Sequence, residues 1–369
     1  MYDLAPGDMM RFRHVEDVFR QVVTAWGYDE VRTPTLEYLH LFTEAGTLSP
    51  QMLRRVYSFL DWDGWSGERV VLRPDATIPV ARLYAERFPP GGDVRLAYVE
   101  NVFRFAEGDE SREDWQCGVE RLGGRAPEAD LELILLGLEL LERLQLPEPL
   151  VRVSHTGVAR VVLAAAGLTP EEQLAHYDRI LDGDLSALTE VEGSLPGLPL
   201  PLRTLFEVSG DLAFVTNLGA SFGPAIPGMR PPLEELAHIA RVLSALGRRY
   251  DIRMALARDF EYYTGAVFRF EAGGERMGGG GRYDALLRVV GGVDTPACGL
   301  ALDVEPIVRL LPAMAIDRKL CVVRATSSDT GLMALAHEVA AGLREAGVVA
   351  AVNGPSGDGA MRVDVLASD

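Results

Sequence analysis

Two apolar runs, 95–105 and 114–122, constrain the fold of this 369-residue chain most strongly. An acidic connection, 106–113, joins them, and a strongly apolar helix over 128–145 (DLELILLGLELLERL) follows directly. Strands in a run with helices added beside them argue for an α+β fold built on an antiparallel sheet. The lack of G-x-G-x-x-G between a strand and a helix agrees with that choice over a doubly wound sheet. Upstream, Met9, Phe12, Val15, Phe19, Val22 and Val23 recur at helical spacing over 8–26. Residues 30–33 are extended and meet Pro34, which lacks an N–H and suits an edge or an interface. Residues 54–60 and 68–72 read as a hairpin around a polar turn at 61–67. The turn Arg73-Pro74-Asp75 then leads into a helix over 78–87.

Downstream, 151–153 predicts a short strand, and 156–250 reads as mostly helical, with Gly/Pro-rich interruptions at 195–201 and 222–232. That is the character of an inserted helical lobe. Strand signals return at 254–257, 266–271 and 298–302, and a glycine-rich stretch ending GGGGRYDALL lies between the last two. A linker at 311–316 separates a core, 1–311, from a short C-terminal α/β unit, 317–369. In that unit β runs are expected at 320–324, 348–352 and 363–366, with a helix over 330–345.

At 48% hydrophobic and 24% charged, the chain can bury a sizeable core. Its net charge of -18 repels phosphate backbones and lacks the basic footprint of a tRNA binder, although acidity also serves solubility alone. Cys117, Cys298 and Cys321 lie far apart, so no zinc-ligand spacing arises and no metal is expected. The N-terminus is charged too early for a signal peptide, and no apolar run reaches the ~18 residues of a membrane span. The expectation is a soluble, cytoplasmic protein.

Four polar clusters interrupt apolar strands, where an unpaired charge costs several kcal/mol. Arg73-Pro74-Asp75-Ala76-Thr77 forms a strand-to-helix turn, in which Asp75 also reads as an ordinary helix cap. Arg104, Gln116, Gly118 and Glu120 fall on one face of a hairpin, as a ligand site or as a plain cross-strand ion pair. Arg258 followed by Tyr262-Tyr263 offers a carboxylate grip and ring-flanking aromatics, or a loop with core anchors. Gly278-Gly279-Gly280-Gly281 lets a backbone approach a ligand closely; the default reading is a flexible turn.

Taken in order and spacing, these segments resemble histidyl-tRNA synthetases and their paralogues, a branch of the class II aminoacyl-tRNA synthetase fold. The resemblance runs from Tyr2 to Leu311. GYDEVRTPTLEYLHLF looks like motif 1, with Pro34 at a dimer interface, and RPDAT like the loop holding the amino group of histidine. FR…WQCGVERLG looks like motif 2, and ARDFEYYTG and GGGGRYDALL like the two histidine-specific segments. By that resemblance Asp75, Thr77 and Gln116 hold the α-ammonium, with Asp75 where a Glu is usual. Arg104 and Arg258 face the carboxylate, and Glu120, Tyr263 and Tyr283 surround the imidazole. Asp259 stands where the family has glycine.

The departures fall on the nucleotide side. Ala106 occupies the place of a motif 2 Glu that helps hold ATP, and the loop reads AEGDES where basic residues would meet phosphate. Motif 3 should end Gly-Leu-Glu-Arg, yet the chain has Asp303-Val304-Glu305-Pro306. Losing one charge-assisted contact costs ~1.5–3 kcal/mol. That side is expected to be stripped of positive charge. A synthetase core that binds histidine without ATP resembles the regulatory subunits of ATP phosphoribosyltransferase, which act with a short-form catalytic subunit in the first step of histidine biosynthesis. The resemblance therefore implies a non-catalytic chain that mediates feedback by histidine. It further implies no cofactor, no tRNA or membrane partner, and a homodimer core within a hetero-octamer. The alternatives are an active histidyl-tRNA synthetase with unusual motifs and a paralogue acting as a binding or scaffold protein. The C-terminal unit resembles the start of an anticodon-binding domain and stops roughly half-way through one.

Overall fold

The computed structural model describes residues 3–44, 55–62, 67–106, 111–181, 183–254, 256, 262–314, 320–353 and 361–365. It divides into two units, Met1–Pro312 and Ala313–Asp369. In the first, the strands in chain order are β1 (Asp29–Glu30), β2 (Leu36–Tyr38), β3 (Ser58–Trp62), β4 (Gly67–Leu72), β5 (Val94–Phe103) and β6 (Glu113–Leu122). They continue with β7 (Leu150–His155), β8 (Ser209–Gly210), β9 (Tyr250–Arg253), β10 (Ala266–Ala272), β11 (Glu275–Arg282) and β12 (Ala297–Asp303). One sheet has the order β1-β5-β6-β12-β11-β10-β7-β9-β8, and β2-β4-β3 form a separate small sheet. Only the β1/β5 and β7/β9 pairs of the large sheet are parallel.

The large sheet is organised around β5 and β6, which pair from Val94↔Leu122 to Phe103↔Glu113. Alternate residues of these strands belong to different cores. Ala97, Val99, Cys117 and Val119 pack with the helices Pro6–Ala25 and Glu128–Arg143, whose apolar stripes include Phe12, Phe19, Leu133 and Leu140. Leu96, Tyr98 and Leu122 pack on the other face with the helix Thr77–Arg87. Burying a Leu, Val or Phe contributes about 1.5–3 kcal/mol, so these two stripes account for much of the sheet's placement. The lobe between β7 and β9 is helical from Thr156–Ala165 to Arg230–Ala245, interrupted by the two-residue β8.

Several expectations need correction. The glycine run is a strand, β11, inserted between β10 and β12 near the middle of the sheet. Glycine is required there because its neighbours' carbonyls crowd it: a Cβ at Gly280 would stand 2.0 Å from the Gly299 oxygen. Of the strand expected at 254–257, Met254 and Leu256 are not in a strand and residues 255 and 257 lie outside the described residues; β9, just before them, pairs with β7 through Val151↔Tyr250. Its sequence YDIR buries Ile252 alone, so it lacks the apolar run that marks an inner strand. Of the extended segment 30–33, only Glu30 is in a strand, and the hairpin strand β3 continues through Trp62. Residues 54, 107–110, 257 and 258 lie outside the described residues.

The second unit carries β13 (Cys321–Ala325), β14 (Ala350–Val352) and β15 (Met361–Val365) in the parallel order β14-β13-β15. Its helix Thr330–Glu345 is capped by Asp329, whose side chain accepts from the N–H groups of Gly331 and Leu332. The core is small, with Cys321, Val323, Ala336 and Ala340 at its centre. Among the described residues, no helix is long and apolar enough to cross a membrane.

Candidate functional site

On the face of the large sheet opposite the helix Glu128–Arg143, strand register sets residues in rows. One row is Leu96–Glu120–Gly299–Gly281–Val267, the next Tyr98–Gly118–Ala301–Gly279–Arg269, and a third Glu100–Gln116–Asp303. The middle of the first two rows is glycine and alanine, so backbone forms the floor of a cleft there. Asp75, Thr77, Arg104, Gln116, Tyr263 and Tyr283 line that cleft.

At one end Glu120 is 1% exposed. Its Oε1 accepts from the Thr77 hydroxyl at 2.7 Å and the Tyr98 hydroxyl at 3.2 Å, and its Oε2 accepts from the Tyr283 hydroxyl. Burial pushes its carboxyl up to about 8 against these three donors, because a carboxylate away from water lacks solvation. The same burial raises the phenols of Tyr98 and Tyr283. Gly299 permits this arrangement, since a Cβ there would stand 1.7 Å from Glu120 Oε2. Asp75 does two things at once: Oδ1 accepts from the Ile78 N–H at 2.8 Å, capping the helix, while Oδ2 accepts from the Tyr262 hydroxyl at 3.4 Å. Burial lifts its carboxyl to about 6.

Two buried arginines hold this end in place. Arg73 pins the turn before Asp75 by donating to Glu100 at 2.6 Å, to the Thr33 carbonyl at 3.0 Å and to the Asn101 carbonyl at 2.7 Å. Arg282 donates to Asp130 on the helix Glu128–Arg143 at 3.0 Å and to the Gly124 carbonyl at 3.1 Å, which fixes the backbone carrying Tyr283. Removing one partner of such a buried pair typically costs about 3–5 kcal/mol.

The other end is charged and more open. Gln116 Nε2 donates to Asp303 Oδ1 at 3.0 Å, and Arg104 Nε donates to the Pro74 carbonyl at 2.9 Å. Arg269 and Arg276 also line the cleft, from β10 and β11. These two arginines add positive charge to the cleft that the motifs alone did not lead one to expect. Glu305 accepts from the Trp115 N–H at 3.0 Å, and burial lifts its carboxyl to about 7. Pro306 sits in the first turn of the helix Val304–Leu310, where a missing N–H costs little.

Of the eight candidate ligands, six line the cleft directly and Glu120 lies under it through Thr77 and Tyr283; Arg258 falls outside the described residues. Tyr98, Arg269 and Arg276 were not singled out, and Tyr262 was named only within the Tyr262-Tyr263 pair. Tyr262 had a signal, its place beside Tyr263, and Tyr98 shares a row with Gly118.

Residues 1–307 match the family described as histidyl-tRNA synthetase. The chain is 45% identical over 363 residues to an ATP phosphoribosyltransferase regulatory subunit of Dehalococcoides mccartyi, covering 96% of this chain and 87% of the relative. It is 32% identical over 321 residues to a histidine--tRNA ligase of Methanosarcina acetivorans, covering 84% and 74%. A solved structure from Bacillus halodurans, described as an ATP phosphoribosyltransferase regulatory subunit/histidyl-tRNA synthetase, is similar in fold, with a TM-score of 0.79 at 24% identity over 100% of this chain and 97% of that one.

Proposed function

The chain belongs to the histidyl-tRNA synthetase family, and from that premise we propose that it is a non-catalytic regulatory subunit of ATP phosphoribosyltransferase that mediates feedback by histidine. The observation that carries this reading is the contrast within one cleft. The end built from Thr77, Tyr98, Glu120 and Tyr283 is fully assembled for a small ring with N–H groups. The end that a synthetase uses for ATP has Ala106 in place of a carboxylate and Pro306 in place of an arginine. The 45% identity to a regulatory subunit over nearly the whole chain supports the same assignment.

In this reading Asp75, Thr77 and Gln116 hold the α-ammonium of histidine, Arg104 and Arg258 its carboxylate, and Glu120, Tyr263 and Tyr283 its imidazole. Histidine binds one state of the assembly better than the other, by ~1–3 kcal/mol, and so biases it toward lower activity. The partner is a short-form catalytic subunit, in a cytoplasmic hetero-octamer with a homodimer core. Exposed Leu36, Tyr38, Phe59, Leu60 and Trp62 on the small sheet give such a homodimer an apolar surface to bury.

Calorimetric titration with histidine and, separately, with ATP, with and without the short-form catalytic subunit, tests the proposal. Histidine heat with no ATP response from this chain alone is expected; no histidine heat in either setting overturns it. The 32% identity to a histidine--tRNA ligase, together with Arg104, Arg269 and Arg276 in the cleft, favours an active synthetase as second reading. Histidine-dependent pyrophosphate exchange would establish it.

A further inference from the structure

We propose that Thr156 and Arg160 are positioning residues through which the helical lobe between β7 and β9 senses whether the cleft is occupied. This rests on the reading that histidine binds here, and it adds the part of the fold that registers the ligand. Residues 262–265 carry Tyr263 into the cleft. Its ring lies against the glycine floor, since a Cβ at Gly281 would stand 2.9 Å from Tyr263 Cδ1. The lobe holds this segment by its carbonyls. Arg160 Nη2 donates to the Tyr263 carbonyl at 3.0 Å. The Gly265 carbonyl accepts from the Thr156 N–H at 3.0 Å and from its hydroxyl at 3.2 Å. Thr156 and Arg160 stand four residues apart in the helix Thr156–Ala165, so they share one face of it. From the opposite side, the Thr264 N–H donates to the Arg282 carbonyl at 2.7 Å, and its hydroxyl oxygen accepts from the Asp284 N–H at 3.0 Å. A Cβ at Gly265 would stand 2.9 Å from Arg282 Cδ. The segment is clamped between the lobe and the end of β11.

The grip is placed where the lobe is itself tied together. His155, just before Thr156, accepts at Nδ1 from the Gly157 N–H at 3.0 Å. A neutral ring that accepts there carries its proton on Nε2, which faces Glu235 Oε2 at 3.1 Å. Glu235 belongs to the helix Arg230–Ala245, the last of the lobe before β9. The first and last helices of the lobe therefore meet beside the carbonyls of 262–265. A ligand packed on Tyr263 restricts that segment, and the same carbonyls restrict the start of the helix Thr156–Ala165. Linkage is reciprocal: what the ligand gains from an ordered segment returns as stability of that helix. Thr156 is buried and Arg160 exposed, so the first is the firmer point of the grip and the second the more easily altered.

Amide hydrogen exchange on the whole chain, with and without saturating histidine, tests this. Histidine should slow exchange in residues 157–165 by about threefold or more. Arg160→Met keeps the aliphatic stem and removes the donor; Thr156→Val keeps the shape and removes the hydroxyl. With histidine raised to equal occupancy, each variant should lose part of that slowing and the double variant all of it. Arg160→Met should also weaken histidine binding by about threefold, and Arg160→Lys, which restores a donor, should recover both the affinity and the slowing. Because Arg160 is exposed, its variants leave the core untouched even where Thr156→Val disturbs folding. A merely structural role changes exchange of the free chain and leaves the histidine-dependent difference intact; that result overturns the inference. Calorimetric heat with histidine but no slowing in the wild type also overturns it and spares the binding reading. No heat at all sinks the binding reading and this inference with it.

Discussion

The two ends of the cleft solve different problems with the same sheet. At the Glu120 end the carboxyl is buried and three hydroxyls converge on it. At the Asp303 end the groups are charged, partly open, and held by an amide and a backbone carbonyl. Neutral donors around a buried acid give a pocket that is selective in geometry, since a misplaced hydrogen bond there leaves an unsatisfied group at a cost of ~1–3 kcal/mol. Charges near water are adaptable and individually worth less. On the proposed reading, the first end supplies recognition and the second sets what that recognition is used for.

The largest effect that could break this contrast is one of pH. Unfolded, Glu120 titrates near 4.5; folded, burial holds it at about 8. Between those values the folded chain keeps a proton the unfolded chain has lost, so stability falls as pH rises through the window and levels off above it. At about 1.4 kcal/mol per pH unit the upper bound is about 5 kcal/mol. Denaturant midpoints of the wild type and Glu120→Gln, followed across the window, should show a drop in the first that is absent from the second. An equal drop in both would move the effect to Asp75 and Glu305, whose raised carboxyls have the same sign.

Next in size is Gly299→Ala. Its Cβ would overlap Glu120 Oε2, so the carboxyl must move, and histidine affinity should fall by a hundredfold or more, about 2.7 kcal/mol. Calorimetry reads the affinity and circular dichroism the fold; unchanged affinity would show that Glu120 need not stay where it is. Tyr283→Phe removes one donor from that carboxyl, and a loss of about tenfold in histidine affinity is expected. The smallest effect belongs to the other end: Asp303→Asn keeps an acceptor for Gln116 and should change histidine affinity by less than about threefold. A loss as large as that of Tyr283→Phe would mean that the two ends are not separable.

Much of this architecture was legible in the order of residues. The β5–β6 pair, the helix after it and the one-face alignment of Gln116, Gly118 and Glu120 follow from alternation alone, and the register agrees. What escaped depends on neighbours distant in sequence. GGGG carries no apolar signal, so its place as an inner strand appears only when β10 and β12 flank it. Arg276 reaches the cleft after a register shift at Phe270/Glu271, which no periodicity records. Tyr98 reads as an ordinary core aromatic until Gly118 opposite leaves room for its ring over the site. Arg73, by contrast, looked like part of a ligand loop and proved to be its anchor, because Glu100 and Thr33 lie behind it.

A floor made of peptide groups has no rotamers. Across Gly118, Ala301 and Gly279 its height and spacing are set by the pleat itself, so they cannot be retuned by exchanging one side chain for another. Drift toward a different small molecule is therefore confined to the walls and the rim, and two proteins that share this floor can diverge in occupation while remaining superimposable underneath.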